Sequence, residues 1–256
     1  MPFDDRNRIL FGEDGSHTLA QARICVFGLG GVGASAAMDL VRAGVGNLVV
    51  VDFDEVSETN LNRLYFAYSD TIGKPKLDVF ADFARRINPN VNIEMRGSIV
   101  RGAEAATMIP DACGFYLDCI DTLNPKTNLM AALARAGLPF ASSMGTAGRM
   151  APERLRIGSL WDTHDCPLSS LVRKRLRRMG FSRSGAGQTG LAAEFLCVWS
   201  DEPAVSPVMP ADGSTPGDTV NGERVRAVQG SSPFVPQAAG HILASLAVRR
   251  ILGFFL

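Results

Sequence analysis

The chain has 256 residues, 46% of them hydrophobic and 20% charged, a composition that suits one large packed domain and excludes a disordered or fibrous protein. Its 26 basic residues balance 26 acidic ones, so no global basicity marks a nucleic-acid partner, although a local patch suffices for phosphate contacts. No apolar run approaches the roughly 18 residues of a membrane span, and the early charges of Met1-Pro-Phe-Asp-Asp-Arg6 do not read as a signal peptide.

The predicted elements alternate through the first half. Arg23–Phe27 reads as a strand, and residues 32–43 as a helix of small side chains able to pack closely on a sheet. Residues 48–51, Leu-Val-Val-Val, form a near-continuous apolar strand, as in a parallel sheet covered on both faces. Lys76–Ile87 carries Leu77, Phe80, Phe83, Ala84 and Ile87 at a helical period and is ended by Asn88-Pro89. A strand at residues 92–95, a short helix near 103–109, and a strand at 114–119 follow. Residues 124–136 read as a helix stopped by Gly137, and 139–143 as another strand. This repetition predicts an α/β fold: a doubly wound, mostly parallel, Rossmann-like sheet with right-handed crossovers.

After Gly148 the pattern changes. A strand at 155–160 leads to a basic helix at 167–179 and a Gly/Ser loop at 182–190. Residues 193–200 alternate like an antiparallel or edge strand, 201–232 form a Pro/Gly/Ser-rich excursion, and 234–252 read as a terminal helix. The expected organisation is one domain over residues 1–256, with a nucleotide-binding half (1–148) and an elaborated C-terminal portion (149–256). His17 is expected to start a short helix and His241 to pack in the terminal one. The scattered cysteines, Cys25, Cys113, Cys119, Cys166 and Cys197, form no C-x-x-C pair. Buried reduced thiols in a cytoplasmic protein are therefore expected rather than zinc or disulfides.

Between the first strand and helix lie four glycines, Gly28-Leu-Gly30-Gly31-Val-Gly33. A sharp strand-to-helix turn points backbone N–H groups outward at the positive end of the helix dipole, and glycines let a phosphate approach. With Asp52 closing the next strand, this spacing describes a dinucleotide site whose acid holds a ribose hydroxyl. The residues that follow suit a triphosphate better than a nicotinamide: Asp54, then Thr59-Asn60-Leu-Asn-Arg63, Ile72-Gly-Lys-Pro-Lys76 and Asp118-Cys-Ile-Asp121. Two fixed cations near the β- and γ-phosphates neutralise charge as pyrophosphate departs. Asp121, at the carboxyl edge of the sheet, is placed to hold magnesium. Taken singly, Arg63 and Lys76 read equally well as surface charges and Asp121 as a helix cap.

The succession GLGGVG, VDFDEV, TNLNR, IGKPK and DCIDT resembles the ubiquitin-activating-enzyme superfamily of ThiF-type adenylation domains, over about residues 6–145. Such enzymes attach a carboxylate to AMP drawn from ATP. The resemblance implies ATP and Mg2+ as cofactors. It implies a phosphate loop of Gly28, Gly30, Gly31 and Gly33, with Asp52 on the ribose and Asp54 in the same set. Asn60, Arg63 and Lys76 would meet the phosphates and Asp121 the metal. Arg8, in Asp5-Arg-Asn-Arg8-Ile, matches an arginine that reaches the neighbouring subunit's site, which implies a homodimer. Leu64 stands where the family usually has glutamine.

The second half resembles the tRNA threonylcarbamoyladenosine dehydratase branch. The residues that carry this are Met144-Gly-Thr-Ala-Gly148-Arg-Met-Ala-Pro152, Pro167-Leu168 with the basic helix after it, residues 195–202 ending in Ser-x-Glu, and Gly230-Ser-Ser-Pro-Phe234. Thr146-Ala147 replaces the usual Ala-Gly, and Cys166 stands where an aspartate is common. This resemblance implies a cytoplasmic enzyme that dehydrates the threonylcarbamoyl group on tRNA adenosine, with Arg173, Lys174, Arg177 and Arg178 on the backbone of the anticodon arm. Spacing alone favours a solvated face over a stripe of Leu168, Leu171, Val172 and Leu176, and it is the resemblance that turns the helix towards RNA. A second reading is activation of the C-terminal glycine of a ubiquitin-like or sulfur-carrier protein, with a sulfur-transfer partner of unknown identity; the absence of two C-x-x-C zinc pairs counts against it. A third is a redox or non-catalytic dinucleotide binder, indifferent to Arg63. Cys166 and Cys197 have only His164 as a visible base and are not expected to act as thioester nucleophiles.

Overall fold

The structure is a computed structural model that describes residues 3–98, 105–184, 191–192, 195–208, 219–220, 223–224 and 229–254. Its helices are α1 (Asp5–Gln21), α2 (Gly31–Arg42), α3 (Lys76–Ile87), α4 (Leu123–Arg135), α5 (Pro167–Arg178) and α6 (Phe234–Ile251). The main strands are β1 (Arg23–Phe27), β2 (Asn47–Val51), β3 (Asn92–Arg96), β4 (Phe115–Asp118), β5 (Phe140–Ser143), β6 (Leu155–Ser159) and β9 (Leu196–Ser200). Two short pairs lie outside the main sheet: β7 (Phe181–Ser182) with β8 (Leu191–Ala192), and β10 (Thr219–Val220) with β11 (Glu223–Arg224).

The seven-stranded sheet runs β3-β2-β1-β4-β5-β9-β6, every pairing parallel except β6 with β9. From β1 the chain winds out to β2 and β3, then returns to place β4 on β1's other side. The loops after β1 and β4 therefore diverge, opening a crevice at the carboxyl ends of the strands. Strand alternation builds a core on each face. Ile24, Val26, Leu48, Val50, Phe115 and Leu117 meet α2, α3 and α6, whereas Cys25, Phe27, Val49, Val51 and Tyr116 meet α4. A third cluster gathers Met130, Leu160, Val172, Leu176, Phe181 and Phe195 between α4, α5 and the strands near them. The small residues of α2 do what their size permits. Gly240 of α6 lies so close that a Cβ there would sit 2.3 Å from the Val32 carbonyl oxygen.

Three expectations need correction. A helix beginning at His17 is instead the 17-residue α1, bent at Gly12, where φ is 74°. Only Leu19 of α1 is buried, so little apolar periodicity marks it. β9 is no edge strand: it is antiparallel to β6 as its alternation suggests, but also parallel to β5, and β6 forms the edge. Near residue 105 there is a 3-10 turn in place of a helix, and residues 99–104 lie outside the described part. So do 185–190, 193–194 and most of 209–228, on which parts of the predicted loops fall. Among the described residues no helix is long and apolar enough to cross a membrane.

Candidate active site at the carboxyl edge of the sheet

The crevice is a cleft of about 850 Å³. One half is lined by Gly28, Gly30, Gly31, Asp52, Asp54, Asn60, Arg63, Lys76 and Asp121, the other by residues 144–147 and 166–168. Gly28 has φ 88°, which turns the chain out of β1. Gly33 does not line the cleft. Its role is packing, because a Cβ there would fall 1.7 Å from the Gly28 carbonyl oxygen. Gly30 has open space where a Cβ would lie, on the side a ligand would occupy.

Asp52, buried at the end of β2, accepts the Leu29 N–H at 2.5 Å on Oδ2 and the Asp54 N–H at 2.8 Å on Oδ1. The carboxylate thereby holds the glycine loop and keeps lone pairs for a hydroxyl ligand. Lys76 is buried, donates from Nζ to Asp54 Oδ2 at 2.9 Å and lies 4.0 Å from Asp52 Oδ1, which removes the surface-charge reading. Arg63 is tethered through Nη1, which donates to the Thr59 carbonyl at 2.8 Å and to Asn62 Oδ1 at 2.9 Å. Asn60 Oδ1 accepts the Ser57 N–H at 3.2 Å and holds the 3-10 turn that presents Arg63. Leu64 is buried in the core, so the unusual residue after Arg63 gives packing and no polar contact.

Asp121 is exposed at the mouth of the cleft, where Oδ1 accepts the Thr122 hydroxyl at 3.2 Å. Thr122, not Asp121, is the N-cap residue of α4. Arg8 lies elsewhere: it pairs with Asp4 at 2.9 Å and Glu13 at 2.7 Å on α1, and one copy of the chain does not bring it to the cleft.

Two features escaped the sequence reading. Beneath the cleft, fully buried Lys126 donates from Nζ to Asp118 Oδ2 at 2.6 Å and to Ser142 Oγ at 3.0 Å, while Ser142 Oγ also donates to Asp118 Oδ2 at 2.6 Å. Asp118 Oδ1 accepts the Ile120 N–H at 3.1 Å, so the triad fixes the turn that carries Asp121. The signal was present as an aspartate closing an apolar strand with a lysine eight residues on. The second feature is Arg149, which is buried and donates to four backbone carbonyls, those of Gly145, Ala147, Asp165 and Glu202.

Residues 5–153, well over half the chain, match the model of the ThiF family. The chain belongs to the ThiF family. This ThiF-family chain is 30% identical over 249 residues to the tRNA threonylcarbamoyladenosine dehydratase of Escherichia coli K12, spanning 95% of this chain and 91% of that one. It is also 38% identical over 140 residues to the molybdopterin-synthase adenylyltransferase of E. coli K12, but over only 55% of each chain. The crystal structure of E. coli tRNA N6-threonylcarbamoyladenosine dehydratase in complex with ATP superposes with a TM-score of 0.81 at 28% identity, covering 97% of this chain and 93% of that one.

In this ThiF-family protein the basic helix is not uniformly free. Arg173 turns inward: Nη1 donates to the Thr163 carbonyl at 2.7 Å, to the Leu160 carbonyl and Ser169 Oγ at 3.3 Å, and to Thr163 Oγ1. Burial, then the nearby Arg177, pull its pKa below the ordinary arginine value. Arg173 thus fastens α5 to the preceding turn, and its expected outward role is corrected. Lys174 and Arg178 are exposed without a hydrogen-bond or ion-pair partner among the described residues. Arg177 is exposed above the Trp161 ring at 5.5 Å.

Cys166 is buried and caps α5, its Sγ accepting the Ser169 N–H at 3.5 Å, the office an aspartate would fill. Cys197 is fully buried, and burial pushes its thiol far up, which keeps it neutral and unreactive.

Proposed function

We propose that the chain is an ATP-dependent tRNA threonylcarbamoyladenosine dehydratase. The observation that carries this reading is the single cleft joining the phosphate loop, Arg63 and Lys76 to residues 144–147 and 166–168 of the second half. The likeness to the dehydratases spans that second half as well, whereas the likeness to the molybdopterin enzyme covers about half of the chain.

In this reading the carboxylate of the threonylcarbamoyl group attacks the α-phosphate of ATP. An acyl-adenylate forms and pyrophosphate leaves, its growing charge met by Arg63 and Lys76. An atom of the same side chain then attacks the activated carbonyl carbon, AMP departs with the former carboxylate oxygen, and a five-membered ring closes. The net change is loss of one water. Both steps are pre-oriented, so positioning and charge stabilisation supply the catalysis without a protein nucleophile. The fully buried Cys197, its thiol pushed far up by burial, agrees with this.

Asp121 fits a magnesium ion, since it offers a carboxylate at the cleft mouth and this cation is commonly shared between one or two carboxylates and the phosphates of its nucleotide. Bound there, the ion would supply charge neutralisation at the phosphates. A homodimer is supported by Ile9 and Leu10, 80% and 75% exposed, which follow Arg8 on α1 and suit burial against a second copy. In such a dimer Arg8 would take the role that the resemblance implies for it, at the partner's cleft. The site of action is the cytoplasm, where tRNA is modified.

Lys174, Arg177 and Arg178 would position the anticodon arm through its phosphates. Replacing Lys174 and Arg178 together by Ala is expected to weaken tRNA binding and to flatten the plot of log affinity against log salt by about 1.5 units, read by filter binding at several salt concentrations. An unchanged slope would make the helix a merely solvated face.

The reading is tested by incubating the protein with threonylcarbamoylated tRNA and ATP, then weighing the nucleosides by mass spectrometry. Loss of one water from the modified nucleoside, dependent on ATP, is expected. ATP–pyrophosphate exchange that instead requires a small Gly-Gly-ended protein would favour the carrier-activation reading, which the likeness to the molybdopterin enzyme keeps in view.

A further inference from the structure

Arg149 carries a buried charge that forms no salt bridge with a carboxylate among the described residues. The side chain is 3% exposed. Nη1 donates to the Gly145 carbonyl at 2.9 Å and the Ala147 carbonyl at 3.1 Å, Nη2 to the Asp165 carbonyl at 2.8 Å, and Nε to the Glu202 carbonyl at 3.1 Å. The two acidic residues whose carbonyls it meets have their carboxylates engaged elsewhere. Both Glu202 carboxylate oxygens accept backbone N–H groups of Met150 and Ala151, and Asp165 pairs with His164 at 2.9 Å. Carbonyl dipoles satisfy the hydrogen bonds of a guanidinium but do not neutralise it, so a buried arginine of this kind favours an anion nearby.

That anion has a place to sit. Arg149 lines the cleft in the half formed by residues 144–147 and 166–168. Gly145 lies among Arg149, Cys166 and Leu168: a Cβ on it would stand 3.9 Å from Arg149 Nη1, 3.5 Å from Cys166 Sγ and 3.6 Å from Leu168 Cβ. The start of α5 borders the same wall and adds the positive end of its dipole. The nucleotide half already has its own cations, Arg63 and Lys76, so the charge of Arg149 is available to the other reactant.

We propose that Arg149 makes this half of the cleft a subsite for the carboxylate of the acceptor, as a positioning residue that fixes the wall at residues 145–147 and charges it. The inference rests on the dehydratase reading and deepens it, naming the group that orients the reacting carboxylate before it meets ATP. A guanidinium suits the task better than an ammonium, because its planar fork spans two carbonyls of one loop and a third from the turn before α5.

The first test uses the unaltered protein with a non-hydrolysable ATP analogue, titrated with free threonylcarbamoyladenosine nucleoside and with its primary carboxamide. The carboxylate should bind at least about tenfold more tightly, and equal binding overturns the proposal. The second uses Arg149→Gln and Arg149→Lys. In Arg149→Gln the KM for modified tRNA should rise at least about tenfold while the Kd for ATP stays within about twofold, with Arg149→Lys recovering part of the loss. An unchanged tRNA KM, or an equal loss of ATP affinity, overturns it. Should Arg149→Gln fail to fold, the titration decides alone. Failure of the dehydratase reading looks different: the unaltered protein then removes no water from modified tRNA, whatever the nucleoside titration shows.

Discussion

Arg63→Ala is expected to slow tRNA-dependent AMP release by about 10²–10³-fold while leaving ATP bound, since removing one fixed donor from a developing phosphate charge typically costs this much in kcat. The side chain is anchored at one nitrogen only, Nη1, by the Thr59 carbonyl and Asn62 Oδ1. Its remaining N–H groups therefore stay available on the cleft side, already oriented and needing little reorganisation when charge grows. Truncation leaves the architecture in place: the Arg63 carbonyl still accepts Gln237 Nε2 at 3.3 Å, and Leu64 still packs in the core. Lys76 and the glycine loop would continue to hold the nucleotide, which separates a loss in kcat from a loss in affinity. Single-turnover AMP release together with ATP titration measures both. A rate within about threefold of the unaltered protein would remove Arg63 from the chemistry.

Different parts of the molecule were legible for different physical reasons. The order of β1, α2, β2 and α3 and the meeting of Gly28, Asp52, Arg63 and Lys76 in one cleft follow from local signals, because a parallel sheet sends every strand's carboxyl end to the same edge. α1 carries no such signal, since most of it faces away from the core. The interior position of β9 is a matter of which strands flank it, and alternation within one strand cannot report two neighbours. Arg173 reads as part of a basic face because its spacing matches that of its neighbours. Its inward turn depends on the carbonyls of residues 160 and 163, which belong to another element. Arg149 is invisible for a similar reason: its partners are carbonyls, and every residue has one.

Lys126→Met is expected to destabilise the fold by about 3–5 kcal/mol, the usual cost of stranding one partner of a buried ion pair. Asp118 would be left fully buried with a charge met only by the Ser142 hydroxyl and the Ile120 N–H. The double variant Asp118→Asn/Lys126→Met should recover at least about 1–2 kcal/mol of that loss, because an asparagine carries no charge yet its amide oxygen can still accept the Ile120 N–H. Urea denaturation of the single and double variants measures the difference as a shift in midpoint at constant slope. The double variant also separates two duties of the triad. Its hydrogen bonds hold the turn to Asp121 on one wall and the end of β5, just before residues 144–147, on the other. A stable double variant that binds ATP normally but has lost coupling to tRNA would assign the charge itself to alignment of the two walls. Recovery of both stability and turnover would make hydrogen bonding sufficient. A single variant within about 1 kcal/mol of the unaltered protein would mean that the pair is not sealed from water as the geometry has it.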